Sequence, residues 1–366
     1  MAKLIERRLH PADSPLAIAM TMLFAIVAAM AVASLIFIAY AANPISALFE
    51  LFREPFATPR GFGYALVRAT PLTLIALGTI LAWRSGFAYL GFEGCFVIGA
   101  AAASWLALAT SAGAAIGPLP FILFLPLITL ASFIAGGIWA GIVGIVRTRF
   151  GGSEVLISLM MNYVAILFVQ YLVSGPLRAP GSLPETDQMP RATWLPFLWH
   201  GSRAHAGILI AILAAALVWI LLRKLPLGYE LLVTGFNPTA ARYAGIDAAR
   251  RTVLAAFLAG GLGGVAGMTE LLGVQHRLMD GISGGVGFIG IIVALLARLN
   301  PIAVLPTAIL YGGMTVGADA MQRHAGIPSS VNLILQSLIV LFILAGDLLR
   351  RFRIKLSSPQ PEPAKA

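Results

Sequence analysis

Apolar runs of about 17–25 residues recur along almost the whole chain, and no other feature restricts its fold as strongly. Ten such runs lie near 15–42, 64–82, 92–111, 119–146, 155–174, 204–222, 252–273, 282–297, 301–318 and 329–349. A helix of this length matches the roughly 30 Å hydrocarbon core of a bilayer. The expected fold is therefore all-α: a polytopic membrane protein with about ten transmembrane helices spread over residues 15–349. Composition agrees, with 59% hydrophobic residues, 11% charged residues and a mean hydropathy of +0.90, well away from soluble domains. The first run is too long for a cleavable signal peptide and lacks a small-residue cleavage site before a polar segment.

The basic residues orient the chain. With residues 1–14 inside, alternate polar segments on the inner side hold 17 of the 25 Lys and Arg residues, against 8 on the other side. This positive-inside bias expects both termini in the cytoplasm, together with the loop 224–251 and the basic tail 350–366. The net charge of +10 is spread among loops and forms no stripe, so nucleic acid is not an expected partner. The outer side has two longer segments. Residues 43–63 are rich in Phe and Pro, and 175–203 is Pro-rich, with Trp194 and Trp199 near its end. Those tryptophans suit an interfacial belt or a cap facing an extracytoplasmic partner. Residues from Ser357 on read as a disordered tail.

The cytoplasmic loop carries its own helix signals. Asn237 can cap, Pro238 fits the first helical position, and Thr239 to Ala244 allow about two turns before Gly245 stops them. A short capped helix on this side suits docking to another protein. A solvated basic face resting on anionic lipid is the plainer alternative for Arg242 and Tyr243.

Enzyme signatures are missing from the sequence. There is no P-loop pattern and no H-E-x-x-H, and the single Cys95 excludes an intrachain disulfide. Gly285-Val-Gly287-Phe-Ile-Gly290 matches a dinucleotide fingerprint by spacing, but it enters an apolar span where that motif needs a strand and a soluble βαβ unit. The glycines read better as packing positions. Gly260 with Gly264, Gly263 with Gly267, and Gly137 with Gly141 have the spacing that lets membrane helices approach closely. The run 281–287 is too glycine-dense to start a stable helix, so at least one interrupted or re-entrant segment is expected there.

Polar residues within the spans are few, and each is a candidate for gating or solute contact. Glu93 stands at the mouth of the third span, Glu154, Asn162 and Tyr163 in the fifth, Glu270 and Gln275 at the end of the seventh, and Asn332 and Gln336 in the tenth. Capping or helix-to-helix hydrogen bonding is the structural alternative for Glu93, Glu154 and Asn162.

Four ordered segments resemble one family. Tyr89-Leu-Gly-Phe-Glu-Gly-Cys95 is similar to the N-I-G-x-E-G-Q stretch of permeases of ATP-binding-cassette importers, in the simple-sugar and nucleoside branch of the branched-chain-amino-acid/ribose type. Glu154 to Tyr163 resembles that branch's N-E-V-I-x-x-L-M-L-N-Y. Gly235 to Ile246 resembles G-x-N-P-x-A-A-x-Y-x-G-I, and Gly287 to Pro301 resembles G-F-x-G-I-A-V-A-L-L-G-x-x-N-P. The resemblance covers roughly 60–350. Tyr89 and Cys95 stand where the pattern has Asn and Gln, and Ser153 replaces the Asn before Glu154. Those positions either line the pathway, altering solute handling, or are helix contacts.

The resemblance implies a non-catalytic permease subunit of a bacterial-type inner membrane, which binds no cofactor itself. A separate ATPase subunit would hold ATP and Mg. A second permease, a related but distinct chain, and an extracytoplasmic solute-binding protein would complete the importer. Asn237, Pro238, Ala241, Arg242, Tyr243 and Gly245 would form the coupling helix that meets the ATPase. Glu93, Asn162, Tyr163, Glu270 and Gln336 are the pathway candidates, for a nucleoside or a simple sugar moved by alternating access. The rival is an ion-coupled secondary transporter, which would need a deep coupling carboxylate such as Glu270.

Overall fold

The computed structural model describes residues 44–110, 120–199 and 201–325 in full, together with 117, two short strands and scattered helical positions at 27–38 and 334–345. Two compact units are present, one of residues 1–51 with 318–366 and one of residues 52–317. In the first, strands β1 (Ile5–Arg7) and β2 (Phe352–Ile354) pair antiparallel, bringing segments near both ends of the chain side by side.

The helices in chain order are α1 (Pro44–Ala57), α2 (Pro59–Arg84), α3 (Phe92–Ala109), α4 (Phe121–Phe150) and α5 (Glu154–Ser174). They are followed by α6 (Gly207–Lys224), α7 (Pro226–Phe236), α8 (Pro238–Tyr243), α9 (Ala248–Glu270), α10 (Val286–Leu296) and α11 (Pro301–Ala325). Seven helices among the described residues are long and apolar enough to cross a membrane, and they fall on seven of the ten expected runs. The runs 15–42 and 329–349 lie largely outside the described residues, as does the tail from Ser357. The expected span at 282–297 is instead the 11-residue α10, about 16 Å long and half the thickness of a bilayer core. Two further helices lie in segments read as loops: α1 within 43–63 and α7 within 224–251.

Helices α2, α3 and α9 are largely buried, while α4, α5 and α6 point rows of large apolar residues outward, among them Ile122, Leu167 and Leu213. A water-soluble protein does not expose so continuous an apolar surface, and a lipid solvent accounts for it.

α9 is the centre of the packing, and its two overlapping glycine pairs serve two different neighbours. Gly260 and Gly264 face α4, where a Cβ would overlap the backbone oxygens of Gly136 and Ser132. Gly263 and Gly267 face α3, where a Cβ would meet Cys95 and overlap the carbonyl of Phe96. Close backbone approach of this kind supplies the dispersion contacts that drive helix association in lipid. On α4 the contact pair differs from the expected one. Gly136 and Gly137 meet α9, whereas Gly141 has open space around it.

The 175–203 segment folds over the C-terminal end of α9. Beyond α9 a π-helical turn, Leu271–Gln275, leads into a stretch that pairs with this segment. Thr186 N donates to Leu278 O at 3.0 Å and Met189 N to His276 O at 2.9 Å, and Arg277 forms an ion pair with Glu185. Trp194 is a packing residue here rather than a belt anchor. Its ring stacks on His276 at 3.7 Å, and its Nε1 donates to Met189 O at 2.9 Å.

His205 lies beneath this cap, with Nδ1 accepting from Gly207 N at 3.2 Å. A ring that accepts at Nδ1 must be neutral, and burial, with His276 nearby, lowers its pKa from 6.5 to about 4. The depressed value makes neutral His205 stabilising above pH 6.5, and that contribution is lost as pH falls through the folded pKa. Thermal unfolding in detergent should show this acid loss in the parent chain, and a flatter pH profile in His205→Gln. The glycine packing gives a second expectation. Gly264→Ala should lower stability by about 1–3 kcal/mol through overpacking, while Gly141→Ala, in open space, should be neutral or stabilising in the same assay.

Candidate functional site

Two places in the molecule concentrate the polar residues. The first is the platform of α7, α8 and the start of α9. A six-residue helix is not stable alone, and α8 is held by its ends. Asn237 takes an extended conformation, and its Oδ1 accepts from Thr239 N at 3.0 Å and Ala240 N at 3.1 Å. Pro238 opens the helix where no donor is needed. At the other end Ile246 N donates to Ala241 O at 2.9 Å, and Gly245 turns the chain with φ +79°, a conformation that favours glycine. Asp247 then caps α9, accepting from Arg250 N at 3.1 Å.

The platform is anchored on its inner side and bare on its outer side. Arg251 pairs with Glu230 at 2.5 Å, tying α9 to α7. Gly235 packs directly on the turn after α2, at Arg84 and Gly86. Ala241 is buried under α8. Facing away, Tyr243 is 91% and Phe236 is 88% exposed, with Arg242 exposed beside them. Two exposed aromatic rings on a doubly capped platform make a surface suited to a protein partner.

The second place is inside the bundle. α3 begins beside the middle of α9, where Phe92 and Cys95 meet Gly263 and Gly260. Glu93, in the first turn of α3, is buried, with 4% exposure. Its carboxylate accepts from Gly285 N at 2.9 Å and Gly287 N at 2.6 Å, capping the first turn of α10 from another helix. The segment before α10 is non-helical, with positive φ at Gly281, Gly284 and Gly285. A Cβ at Gly287 would collide with Glu93. Asn162 closes the same junction from α5. Its Oδ1 accepts from Gly94 N at 2.8 Å, and its Nδ2 donates to Leu90 O at 3.1 Å. Ser158 adds a bond from Leu90 N at 3.2 Å.

The remaining candidates are dispersed. Tyr163, next to Asn162 in sequence, points outward with 64% exposure. Glu270 lies buried at the far end of α9, bonded by Gln275 Nε2 at 3.3 Å. Glu154 pairs with Arg147 at 2.8 Å in the first turn of α5, behind the capping Ser153. Gln336 and Asn332 lie outside the described residues. Tyr89 and Cys95 are fully buried, with Oη and Sγ 3.0 Å apart, which makes them helix contacts.

Three of the four motif-bearing segments thus meet at Glu93 and Asn162, and the fourth forms the exposed platform. The family model for the permease component of the branched-chain amino acid transport system matches residues 61–344. The chain belongs to that family. The permease is 31% identical over 350 residues to a glucose ABC transporter permease of Haloferax volcanii, covering 92% of this chain and 90% of that one. It is 32% identical over 333 residues to a guanosine ABC transporter permease of Bacillus subtilis, covering 90% and 93%. A nucleoside ABC transporter permease of Lactococcus lactis subsp. cremoris is 30% identical over 354 residues, with 94% of each chain covered. The permease is accordingly a multi-pass membrane protein of the simple-sugar and nucleoside branch of ABC transporter permeases.

The Glu93 junction yields a direct test. Glu93→Ala leaves two backbone donors unpaired inside the protein, at about 1–3 kcal/mol each, and Glu93→Gln retains one acceptor. Thermal unfolding in detergent should rank the parent chain first, Glu93→Gln second and Glu93→Ala last.

Proposed function

We propose that this chain is a translocation subunit of an ATP-driven importer for a nucleoside, with a simple sugar as the second substrate class. The observation that carries the reading is the rigid, outward-facing α8 with Tyr243, Arg242 and Phe236 exposed, in a chain whose relatives are ABC transporter permeases. Two of the three relatives named are nucleoside or guanosine permeases, which favours a nucleoside over a sugar.

In this reading α8 seats in a separate ATPase subunit that holds ATP and Mg. The platform lies on the Arg-rich side of the chain, which positive-inside topology places in the cytoplasm. Pairing of β1 with β2 supports both termini on one side of a bacterial-type inner membrane. A second permease chain, related but distinct, would cover part of the exposed apolar faces, and lipid the rest. An extracytoplasmic binding protein would deliver the solute. Closure of the ATPase dimer would draw the two platforms together and switch the side to which the central path opens. The driving energy enters as differential binding to two states, so this subunit needs no catalytic group.

A pull-down of tagged chain from native membranes in mild detergent tests this reading. The parent chain should recover a P-loop ATPase and a second permease, and Arg242→Glu with Tyr243→Ala should lose the ATPase while retaining the second permease. Recovery of the ATPase unchanged by that double substitution would overturn α8 as the contact. Scrambling Asn237 to Gly245 should likewise abolish ATP-dependent nucleoside uptake.

A further inference from the structure

A cavity of about 1120 Å³ opens on the face that carries the 175–203 segment. One wall is the start of α2, where Arg60, Tyr64 and Arg68 lie four residues apart and so share one helix face. The rest of the lining includes Trp194, Trp199 and Arg203, together with Gly273 and His276. The wall at Trp194 is held in place, because its ring stacks on His276 and its Nε1 is bonded to a backbone carbonyl.

The arginines are concentrated here. Four others are held by carboxylates: Arg147 with Glu154, Arg250 with Asp247, Arg251 with Glu230 and Arg277 with Glu185. Among the described residues none of Arg60, Arg68 or Arg203 has a carboxylate at ion-pair distance. Glu270 acts on Arg68 only electrostatically, and Arg203 adds its charge to the surroundings of His276. The cavity therefore keeps an excess of positive charge around aromatic walls. A neutral nucleoside or sugar has nothing to set against three guanidinium groups. An oxyanion does, because guanidinium forks match phosphate oxygens in bidentate fashion, while indole and phenol faces suit an apolar or planar body.

We propose that this cavity binds a phosphate ester with an apolar or aromatic body, at a place separate from the path of a neutral solute. The same chemistry is offered by a soluble nucleotide and by the headgroup of an anionic phospholipid. Arg68 of α2 and Arg203 of the 175–203 segment hold the phosphate, and Tyr64 and Trp194 flank the body.

The test is isothermal titration of the purified full-length chain, with its co-purifying partners, in detergent. Adenosine monophosphate and dihexanoyl phosphatidylglycerol are the two probes, with inorganic phosphate and adenosine as references. The expected result is saturable binding of at least one ester with a dissociation constant below about 1 mM. The double variant Arg68→Gln/Arg203→Gln should weaken it by at least about tenfold. Arg178→Gln, outside the cavity on the 175–203 segment, should leave it unchanged. Nucleotide binding alone assigns the soluble source, and phosphatidylglycerol binding alone assigns the leaflet. No binding of either ester, equal binding by the double variant, or binding of inorganic phosphate only (an adventitious ion only) would overturn the proposal. Both arginines are exposed, and an unchanged gel-filtration profile and thermal midpoint would show the double variant to be folded.

Discussion

Backbone polar groups buried in a membrane protein must find partners within the protein, and the junction at Glu93 answers that demand for this fold. Where the chain leaves regular helix at 281–285, it exposes the free amides that precede α10. A carboxylate from α3 takes two of them. Asn162 does the corresponding work one turn away, satisfying Gly94 N and Leu90 O where the non-helical approach to α3 would otherwise leave both open. Two helices that begin inside the bundle are thus held by two side chains from their neighbours. Gly287 is the steric counterpart, since a Cβ there would collide with the Glu93 backbone and carboxylate.

The platform and the junction are joined by unbroken contact. Gly235, the last residue but one of α7, rests on Arg84 to Gly86 at the end of α2. From there the chain runs through Phe87, stacked on Tyr89 at 5.5 Å, and Tyr89 packs edge-on against Phe92 at 5.1 Å. The next residue is Glu93. A displacement of α7, to which α8 is joined through Asn237, would therefore press on the turn after α2 that leads through the packed rings of Phe87 and Tyr89 into α3. Contact of this kind is a precondition for coupling between distant sites and becomes coupling only if the elements it joins have two arrangements. The half-length α10, held at its start by two backbone amides donating to one carboxylate, is the element best built to have them.

Much of this was legible in the sequence because it depended on local rules. Length and apolarity placed seven spans, and the Asn-Pro start and Gly stop of α8 are caps that any helix of that sequence would use. Sequence also marked 281–287 as non-helical, because its glycine density is a property of the segment itself. What was not legible depended on partners far away in the chain. Glu93 lies 192 residues from Gly285, so its reach across to α10 cannot be read from its neighbours, which show only that it stands in the first turn of a span. Gly141 fits the small-residue spacing as well as Gly137 does, but only the crossing of α4 with α9 decides which of them touches. The arginines of the outer cavity were counted merely as topological charges. The four-residue spacing of Arg60, Tyr64 and Arg68 was available as a signal, but Arg203, which joins them in the lining, comes from another segment.

The distribution of charge sets the platform and the cavity apart. At the platform, Asp247 and Glu230 each hold an arginine, and the exposed surface carries Tyr243 and Phe236 with Arg242 beside them. That suits a protein contact, where aromatic residues and arginine are enriched. At the cavity none of the three lining arginines has a carboxylate at ion-pair distance among the described residues. Mutual repulsion there is tolerated because water screens it, and it is relieved when an anion enters. One chain thus presents an exposed aromatic platform with Arg242 beside it and, apart from it, a cationic recess, while the carboxylate of Glu93 is spent inside the bundle on the amides that start α10.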